Sequence, residues 1–257
     1  MKIIEEDYAQ LYHLRSSNSR CSTMEPSVDM DQRPHRFRTY PGSERIALPR
    51  LPHFSSVSLP QAIASRCSVR NFSLSRMPLS QLACVLHVAY GVRGYKTVDG
   101  EHAFDRQVPS AGGLYPLELY VATQAVEGLE DGIYHYDARA HELEKRVTGM
   151  HLNTIAEMTI GQEMIRNCHF VVLVSATFTR TMWKYGQRGY RYVWIEAGHV
   201  GQNIYLAAPA LGLGAVSIGG FFDSELHGLF RLPKEENPVY LITVGIEKTV
   251  SPSTHSD

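Results

Sequence analysis

A lysine and a tyrosine stand side by side in a cluster of basic and phenolic residues, WKYGQRGYRY at 183–192. Lys184, Arg188 and Arg191 recur at steps of four and three, so they would share one face of a continuous helix. Where cations and phenols crowd a lysine, proton affinities can move toward neutrality, as acid–base catalysis requires. The spacing makes Lys184 and Tyr185 candidate catalytic residues. A solvated basic face leading into a core helix is the alternative.

A second segment, RCSVRNF at 66–72, has the residue types that bind phosphate. In an extended chain the alternate residues Arg66, Ser68 and Arg70 point to one side. Guanidinium groups form charge-assisted, often bidentate hydrogen bonds with phosphate, and a hydroxyl can add another. The alternative is a pair of surface arginines that follows a short helix.

Two glycine-containing segments could let a flat ligand approach the backbone, because glycine carries no side chain. One is RQVPSAGGLYP at 106–116, and the other is SIGGF at 217–221. The candidate ligand contacts are Pro109, Ser110 and Gly112 in the first segment and Ile218, Gly219 and Gly220 in the second. Ordinary turns at the ends of strands are the alternative in both places. The chain contains no G-x-G-x-x-G, Walker A or G-x-S-x-G pattern.

The composition is that of a globular protein with one large domain. The chain has 257 residues, 44% hydrophobic and 20% charged, with a formal net charge of −1. This charge argues against binding nucleic acid or an anionic membrane through bulk charge. The twelve histidines and four cysteines show no metal-ligand spacing. The acidic start, MKIIEEDYAQ, and the absence of a long apolar run lead us to expect a cytoplasmic protein.

The elements that would position these residues are a mixture of helices and strands. Residues 15–56 are rich in Ser, Arg and Pro and predict an arm with little regular structure. From Tyr192, apolar residues at the 3.6 period predict a long helix with one buried stripe and a second apolar stripe beside it, suited to a subunit interface. Further helices are predicted at Leu59–Ser65 and Pro78–Ala89, and strands at Leu117–Thr123, Gly132–Tyr136, Phe170–Ala176 and Val239–Val244.

Six ordered segments between residues 58 and 246 together resemble the nitroreductase-fold flavoproteins, and within them the SagB/McbC-type azoline dehydrogenases. They are RCSVRNF, RQVPSAGGLYPLELY, GIYHYD, KYGQRGYRY, EAGHVGQNIYLAAPALGLG and SIGGF. The resemblance implies an α+β fold with a central mixed or antiparallel sheet flanked by helices, in an intertwined homodimer. It also implies an N-terminal extension over 1–57, an FMN-binding domain over 58–250 and a flexible tail over 251–257.

The resemblance also implies residue roles. Arg66, Ser68 and Arg70 match contacts to the FMN phosphate and ribityl chain. Pro109, Ser110 and Gly112 match a loop that meets the flavin from the partner chain, and Ile218, Gly219 and Gly220 match the segment along the ring. Simple nitroreductases often carry Glu where Gly219 stands, and a basic C-terminal tail where this chain has Lys248 as its only late cation.

Lys184 and Tyr185 match the Lys-Tyr pair of the azoline-oxidising branch. The implied reaction converts thiazolines or oxazolines of a heterocyclised peptide or a related small molecule to azoles. Lys184 would act as base, Tyr185 would relay a proton, and oxygen would be the final acceptor. A cyclodehydratase complex is an implied partner. The alternatives are a general NAD(P)H-dependent nitro- or enoate-reductase of the same fold and a non-catalytic scaffold subunit of a heterocyclase complex.

Overall fold

A seven-stranded sheet organises the fold. The computed structural model describes residues 8–18, 29, 33–49, 57–73, 75–98 and 101–248. The helices are α1 (Tyr8–Arg15), α2 (Leu59–Ser65), α3 (Leu79–Tyr90), α4 (Leu152–Glu157), α5 (Thr179–Tyr185), α6 (Gln187–Ala210) and α7 (Asp223–Leu229). The strands are β1 (Arg45–Ala47), β2 (Val92–Val98), β3 (Glu101–Arg106), β4 (Leu117–Thr123), β5 (Gly132–Asp137), β6 (Glu142–Thr148), β7 (Phe170–Ala176), β8 (Leu213–Ile218) and β9 (Asn237–Ile246).

The strand order in the sheet is β1-β6-β5-β4-β7-β9-β8, and neighbouring strands pair antiparallel. β2 and β3 form a separate hairpin. The central strands β4 and β7 are buried along their whole length. Their largely apolar runs, LELYVAT and FVVLVSA, are typical of strands covered on both faces. The predicted α+β class with a large antiparallel component is confirmed.

Helices cover both faces of the sheet. Along β7, Phe170, Val172 and Val174 pack into one core with residues of α3 and α6. The intervening Val171 and Leu173 pack into a second core with α4 and α7. This alternation follows from the two-residue period of a strand. No helix among the described residues has the length and apolar character needed to cross a bilayer.

The basic cluster lies on two helices, which corrects the prediction of one shared face. α5 ends at Tyr185, and α6 begins at Gln187. Between them Gly186 adopts φ 54° and ψ −142°, a conformation that breaks the helix and that side chains disfavour. Lys184 therefore does not share a helical face with Arg188 and Arg191.

The N-terminal arm is more structured than its composition suggested. β1 adds an edge strand by pairing with β6. The amides of Arg38 and Tyr40 donate to the buried carboxylates of Glu118 and Glu144 at 3.0 and 3.2 Å. Residues 50–56 and the predicted tail at 251–257 lie outside the described residues. The domain boundary at 57/58 stays a prediction.

Candidate active site

The structure brings the Lys-Tyr pair against the first glycine-containing segment. Gly112 has φ 62°, and a Cβ placed there would stand 2.7 Å from the Tyr185 hydroxyl and 3.4 Å from Lys184 Nζ. Only glycine fits both this conformation and this approach. Lys184 Nζ also lies 5.6 Å from the centre of the Tyr185 ring. The contact joins residues that are more than 70 positions apart in the sequence.

Tyr185 is suited to donate a hydrogen bond. Burial, with a smaller effect from neighbouring Tyr192, raises the pKa of Tyr185. The two rings meet edge to face at 5.2 Å between centroids. The phenol is therefore protonated near neutral pH and can donate a hydrogen bond.

Hydrogen bonds between its own polar groups stabilise the loop that carries Gly112. The Ser110 hydroxyl accepts from the Tyr115 amide at 2.9 Å, and the Tyr115 hydroxyl accepts from the Arg106 amide at 3.1 Å. Tyr115 has φ 47°, a conformation that costs energy for a residue with a side chain. These bonds hold the strained turn, while Pro109 and Gly112 remain exposed at its surface.

A buried carboxyl lies beneath the same loop. Glu196 of α6 accepts a 2.6 Å hydrogen bond from the Tyr90 hydroxyl, and it is 2% exposed. Burial raises the pKa of Glu196 to about 7, although hydrogen bonds from Ser110 and Tyr90 and the charge of Arg106 act to lower it. The guanidinium of Arg106 lies 4.2 Å from the centre of the Tyr90 ring.

The phosphate-type segment lies at the other end of α6. Ser68 forms a bridge with Ala215 of β8, and its hydroxyl lies 3.2 Å from the Tyr205 hydroxyl. Arg66 stands 5.4 Å from the centre of the Tyr205 ring. Arg66 and Arg70 are exposed and form no ion pair with a described carboxylate. Both guanidinium groups are available to an anion.

The pKa of Tyr205 is lowered by its hydrogen-bonding and charged neighbours in this segment. Burial alone would raise the pKa of Tyr205, but hydrogen bonds with Ser68 and Ser217 and the charge of Arg66 lower it. A cavity of about 340 Å³ lies here, with Arg66, Tyr205 and the carboxylate of Glu247 among its walls. The amide of Lys248 donates to the Asn71 carbonyl at 3.0 Å, so the late cation of the sequence lies beside this segment.

The third segment continues from β8. Ile218 is the last residue of that strand and is buried in the second core. Gly219 lines a cavity of about 370 Å³ with Trp194, Gly198 and Tyr240. A Cβ on Gly219 would meet no atom within 4 Å. The open backbone at Gly219 leaves room for a flat ligand.

The predicted site residues thus fall into two groups. The loop group comprises Pro109, Ser110, Gly112, Lys184 and Tyr185, and the phosphate group comprises Arg66, Ser68, Arg70, Ile218, Gly219 and Gly220. Along α6, Tyr192 and Glu196 lie beside the loop group, Trp194 and Gly198 line the cavity of Gly219, and Tyr205 lies beside Ser68. No hydrogen bond or ring contact between described residues joins the two groups. Their roles stay predictions.

The arginines of the basic cluster face the N-terminal arm. Arg188 donates to the Ser16 carbonyl at 3.2 Å, and Arg191 donates to the Ser16 hydroxyl at 2.7 Å and to the His13 carbonyl at 2.5 Å. These acceptors lie at and just beyond the C-terminal end of α1, where unpaired carbonyls and the helix dipole favour cations.

Sequence reasoning missed several residues of the site. It placed Tyr205 only in an apolar stripe and gave no role to Tyr90, Arg106 or Glu196. A glutamate at a helix position flanked by buried apolar residues is the one signal that could have indicated Glu196. In the part of the chain that the structure describes, no group of three or more His, Cys, Asp or Glu side chains could hold a metal ion.

Comparison with curated proteins gives relatives in two functional groups. Over 198 residues the chain is 38% identical to Putative nitroreductase MJ1384 of Methanocaldococcus jannaschii, covering 76% of this chain and 94% of that protein. It is 33% identical to Trifolitoxin-processing protein TfxB of Rhizobium leguminosarum bv. trifolii and 31% identical to Microcin B17-processing protein McbC of Escherichia coli. These two matches cover 44% and 46% of this chain, but only 32% of TfxB and 46% of McbC.

Solved structures share the fold. A putative nitroreductase from Anabaena variabilis aligns with a TM-score of 0.77 at 24% identity, covering 95% of this chain and 48% of that chain. The E. coli microcin synthetase McbBCD complex with truncated pro-MccB17 bound contains a chain that aligns with a TM-score of 0.60 at 21% identity. That match covers 94% of this chain and 92% of the other.

The model of the nitroreductase family matches residues 63–246, which include both groups of candidate site residues. Among the relatives of this chain are the processing proteins McbC and TfxB, so the resemblance to the McbC type is confirmed. The chain belongs to the nitroreductase family.

Proposed function

We propose that this protein is an FMN-dependent dehydrogenase that oxidises azoline rings, thiazolines or oxazolines, to azoles in a heterocyclised peptide or a related intermediate. The observation that carries the proposal is the contact of Lys184 and Tyr185 with Gly112. An amine and a phenol that donates a hydrogen bond thereby lie against a loop whose open backbone admits a flat ring. An ordinary turn does not need such a pair.

The residues of the phosphate group fit FMN. Arg66 and Arg70 are exposed and have no carboxylate partner in the described part of the chain, Ser68 offers a hydroxyl, and the backbone of Lys248 lies alongside. The carboxylate of Glu247 in the same cavity opposes an anion, so the phosphate has to lie on the arginine side. The open space beside the Gly219 backbone can hold the flavin ring.

The chemistry divides between cofactor and protein. When bound, FMN supplies the two-electron acceptor for the hydride that leaves the azoline ring. Lys184 accepts the proton from the adjacent ring carbon, and the electrons of that C–H bond form the new double bond of the azole. Tyr185 donates a hydrogen bond that orients the ring. Molecular oxygen, as final acceptor, would take up the two electrons together with two protons and leave as hydrogen peroxide.

The relatives support a peptide substrate. McbC and TfxB are named as processing proteins of microcin B17 and trifolitoxin, and the McbBCD complex holds truncated pro-MccB17. We propose that this chain likewise acts on a modified peptide, together with a cyclodehydratase complex.

We further propose that the working unit is a homodimer in which each flavin contacts both chains. Within one chain no hydrogen bond or ring contact between described residues joins the two groups, although members of both lie along α6. Between them α6 exposes apolar side chains, with Trp194 44% and Ile195 56% exposed. A partner chain that covers this face would bring its loop group to the first chain's phosphate group.

The function is tested with an azoline-containing peptide incubated in air with FMN-loaded protein and followed by mass spectrometry. We expect each ring to lose two hydrogens. Lys184→Ala should bind FMN normally but oxidise the ring about two to four orders of magnitude more slowly, the usual cost of a lost general base. Tyr185→Phe should also be slower. Oxidation by Lys184→Ala at the wild-type rate would overturn the base role.

The similarity to MJ1384, named a nitroreductase, supports a second candidate: NAD(P)H-dependent reduction of nitro compounds. The same preparation separates the two. Rapid NADPH consumption with a nitroaromatic, together with an unchanged azoline peptide, would favour the reductase. A protein that is colourless and cannot be loaded with FMN would contradict both.

A further inference from the structure

The loop group rests on a buried acid that the proposed reaction does not use. Glu196 lies on α6 beneath Ser110, and Tyr90 from α3 donates to its Oε1. The second oxygen, Oε2, has no hydrogen bond of good geometry to a described residue, although Ser110 is close enough to influence the carboxyl. An unpaired buried carboxyl oxygen is costly, so this arrangement calls for an explanation.

The hydrogen-bonding capacity of the Ser110 hydroxyl supplies an explanation. A serine hydroxyl has one hydrogen to donate and two lone pairs that accept. The Tyr115 amide occupies one lone pair at 2.9 Å. If Glu196 is ionised, Ser110 must donate to it and keeps only one lone pair for a ligand. If Glu196 is protonated, Oε2 donates to Ser110, both lone pairs are filled, and the hydroxyl hydrogen is free to point toward a ligand.

We propose that Glu196 is a positioning residue whose protonation state decides whether Ser110 offers the bound flavin a hydrogen-bond donor or an acceptor. The inference rests on the proposed function, because it places the flavin ring at the Ser110 loop. The flavin ring edge presents carbonyl oxygens and ring nitrogens as acceptors and only one N–H donor. The protonated state of Glu196 should therefore bind the flavin more tightly.

The neighbours of Glu196 allow it to change charge alone near neutrality. Burial raises the pKa of Glu196 to about 7. Tyr90 from α3 and Tyr115 from the loop both have pKa values raised by burial, so they stay neutral there. Arg106 from β3 keeps its guanidinium charge. On α6 itself, His199 is exposed and one turn away.

The test is the dissociation constant of FMN measured by fluorescence between pH 6 and 8 for the wild type, Glu196→Gln and Ser110→Ala. In Gln the side-chain amide donates at any pH, as the protonated acid does. We expect wild-type affinity to fall by roughly two- to tenfold from pH 6 to pH 8, the worth of one hydrogen bond. The fall should be absent in both variants, and Glu196→Gln should match the wild type at pH 6.

Two features of the design keep the outcome clear. The FMN phosphate itself titrates near pH 6, but it does so equally in all three proteins, so their difference isolates Glu196. In the flavin-free protein, infrared spectroscopy should show a protonated carboxyl band that disappears around pH 7 and is absent from Glu196→Gln. Parallel pH profiles in wild type and Glu196→Gln would overturn the inference while leaving the proposed function intact. Failure of every protein to bind FMN would overturn the proposed function as well.

Discussion

At the scale of single residues, burial decides which polar groups can change charge. Glu118 and Glu196 are both buried, but their surroundings move them in opposite directions. Burial alone would raise the pKa of Glu118, yet Arg180 and His135 lower it to about 2. Glu196 has no ion-pair partner among the described residues, so burial prevails and its pKa rises to about 7. Near neutral pH Glu118 therefore stays charged, whereas Glu196 can gain or lose a proton.

The raised pKa of Glu196 makes stability depend on pH. The folded protein holds this proton up to pH 7, whereas the unfolded chain releases it near pH 4.5, so the contribution is largest at low pH and lost as pH rises through 7. The shift corresponds to roughly 3 kcal/mol. We expect the melting temperature of the flavin-free wild type to fall from pH 5 to pH 8 and that of Glu196→Gln to fall less. His135, whose pKa is also raised in the folded state, contributes equally to both proteins.

At the scale of elements, a buried ion pair fixes the helix that carries the Lys-Tyr pair. Arg180 of α5 donates to Glu118 of β4 at 2.7 Å, and both side chains are buried. His135 of β5 links Glu118 to Glu144 of β6. The network therefore connects α5 to three neighbouring strands, one turn of helix from Lys184.

Breaking this pair should loosen α5. Arg180→Ala leaves the Glu118 carboxylate buried without its main partner, which typically costs about 3–5 kcal/mol of unfolding free energy. The matched control is Arg166→Ala, because Arg166 and Glu163 also lie 2.7 Å apart but their side chains are 32% and 72% exposed. Thermal denaturation should show a large drop for the first variant and nearly none for the second. Equal drops would contradict the anchoring role.

Some elements could be predicted from the sequence alone, and others could not. The strands Leu117–Thr123 and Phe170–Ala176 were predicted with the bounds they have, because runs of apolar, largely β-branched residues are a local signal. The break at Gly186 was missed, since a single glycine inside a helical pattern is compatible with either outcome. The Glu118 network could not be predicted, because its members lie far apart in the sequence and meet only in the folded sheet.

At the scale of the whole molecule, α6 is the element that relates the two groups of site residues. Tyr192 and Glu196 lie beside the loop group, and Tyr205, nearer the C-terminal end, lies beside Ser68 of the phosphate group. The predicted stripe of Val193, Ala197, Val200, Ile204, Ala207 and Leu211 is buried from Val193 to Ala207, whereas Leu211 follows the end of α6 and is half-buried. The predicted second stripe divides, because Trp194 and Gly198 are exposed whereas Gly201 and Ala208 are buried. The exposed part is the face that the proposed dimer would cover.

The dimer proposal predicts complementation between two damaged chains. Arg70→Glu harms the phosphate group, and Lys184→Ala harms the loop group, so each variant alone should be nearly inactive. In co-expressed chains half of the dimers are mixed, and each mixed dimer has one intact site of two. Azoline oxidation should thus recover to roughly a quarter of the wild-type rate. No recovery in mixed dimers isolated by two affinity tags would show that each site belongs to a single chain.

The docking of α1 has a consequence for substrate capture in solutions of different salt content. Arg188 and Arg191 are engaged by carbonyl and hydroxyl groups around the end of α1, so Lys184 is the cation of the cluster most open to a substrate. One exposed charge attracts an acidic molecule only weakly beyond about 10 Å at 0.1 M salt. The association rate of a peptide should therefore vary little between 50 and 500 mM NaCl in stopped-flow measurements. A steep decline would mean that α1 leaves its place when the peptide arrives and exposes both arginines.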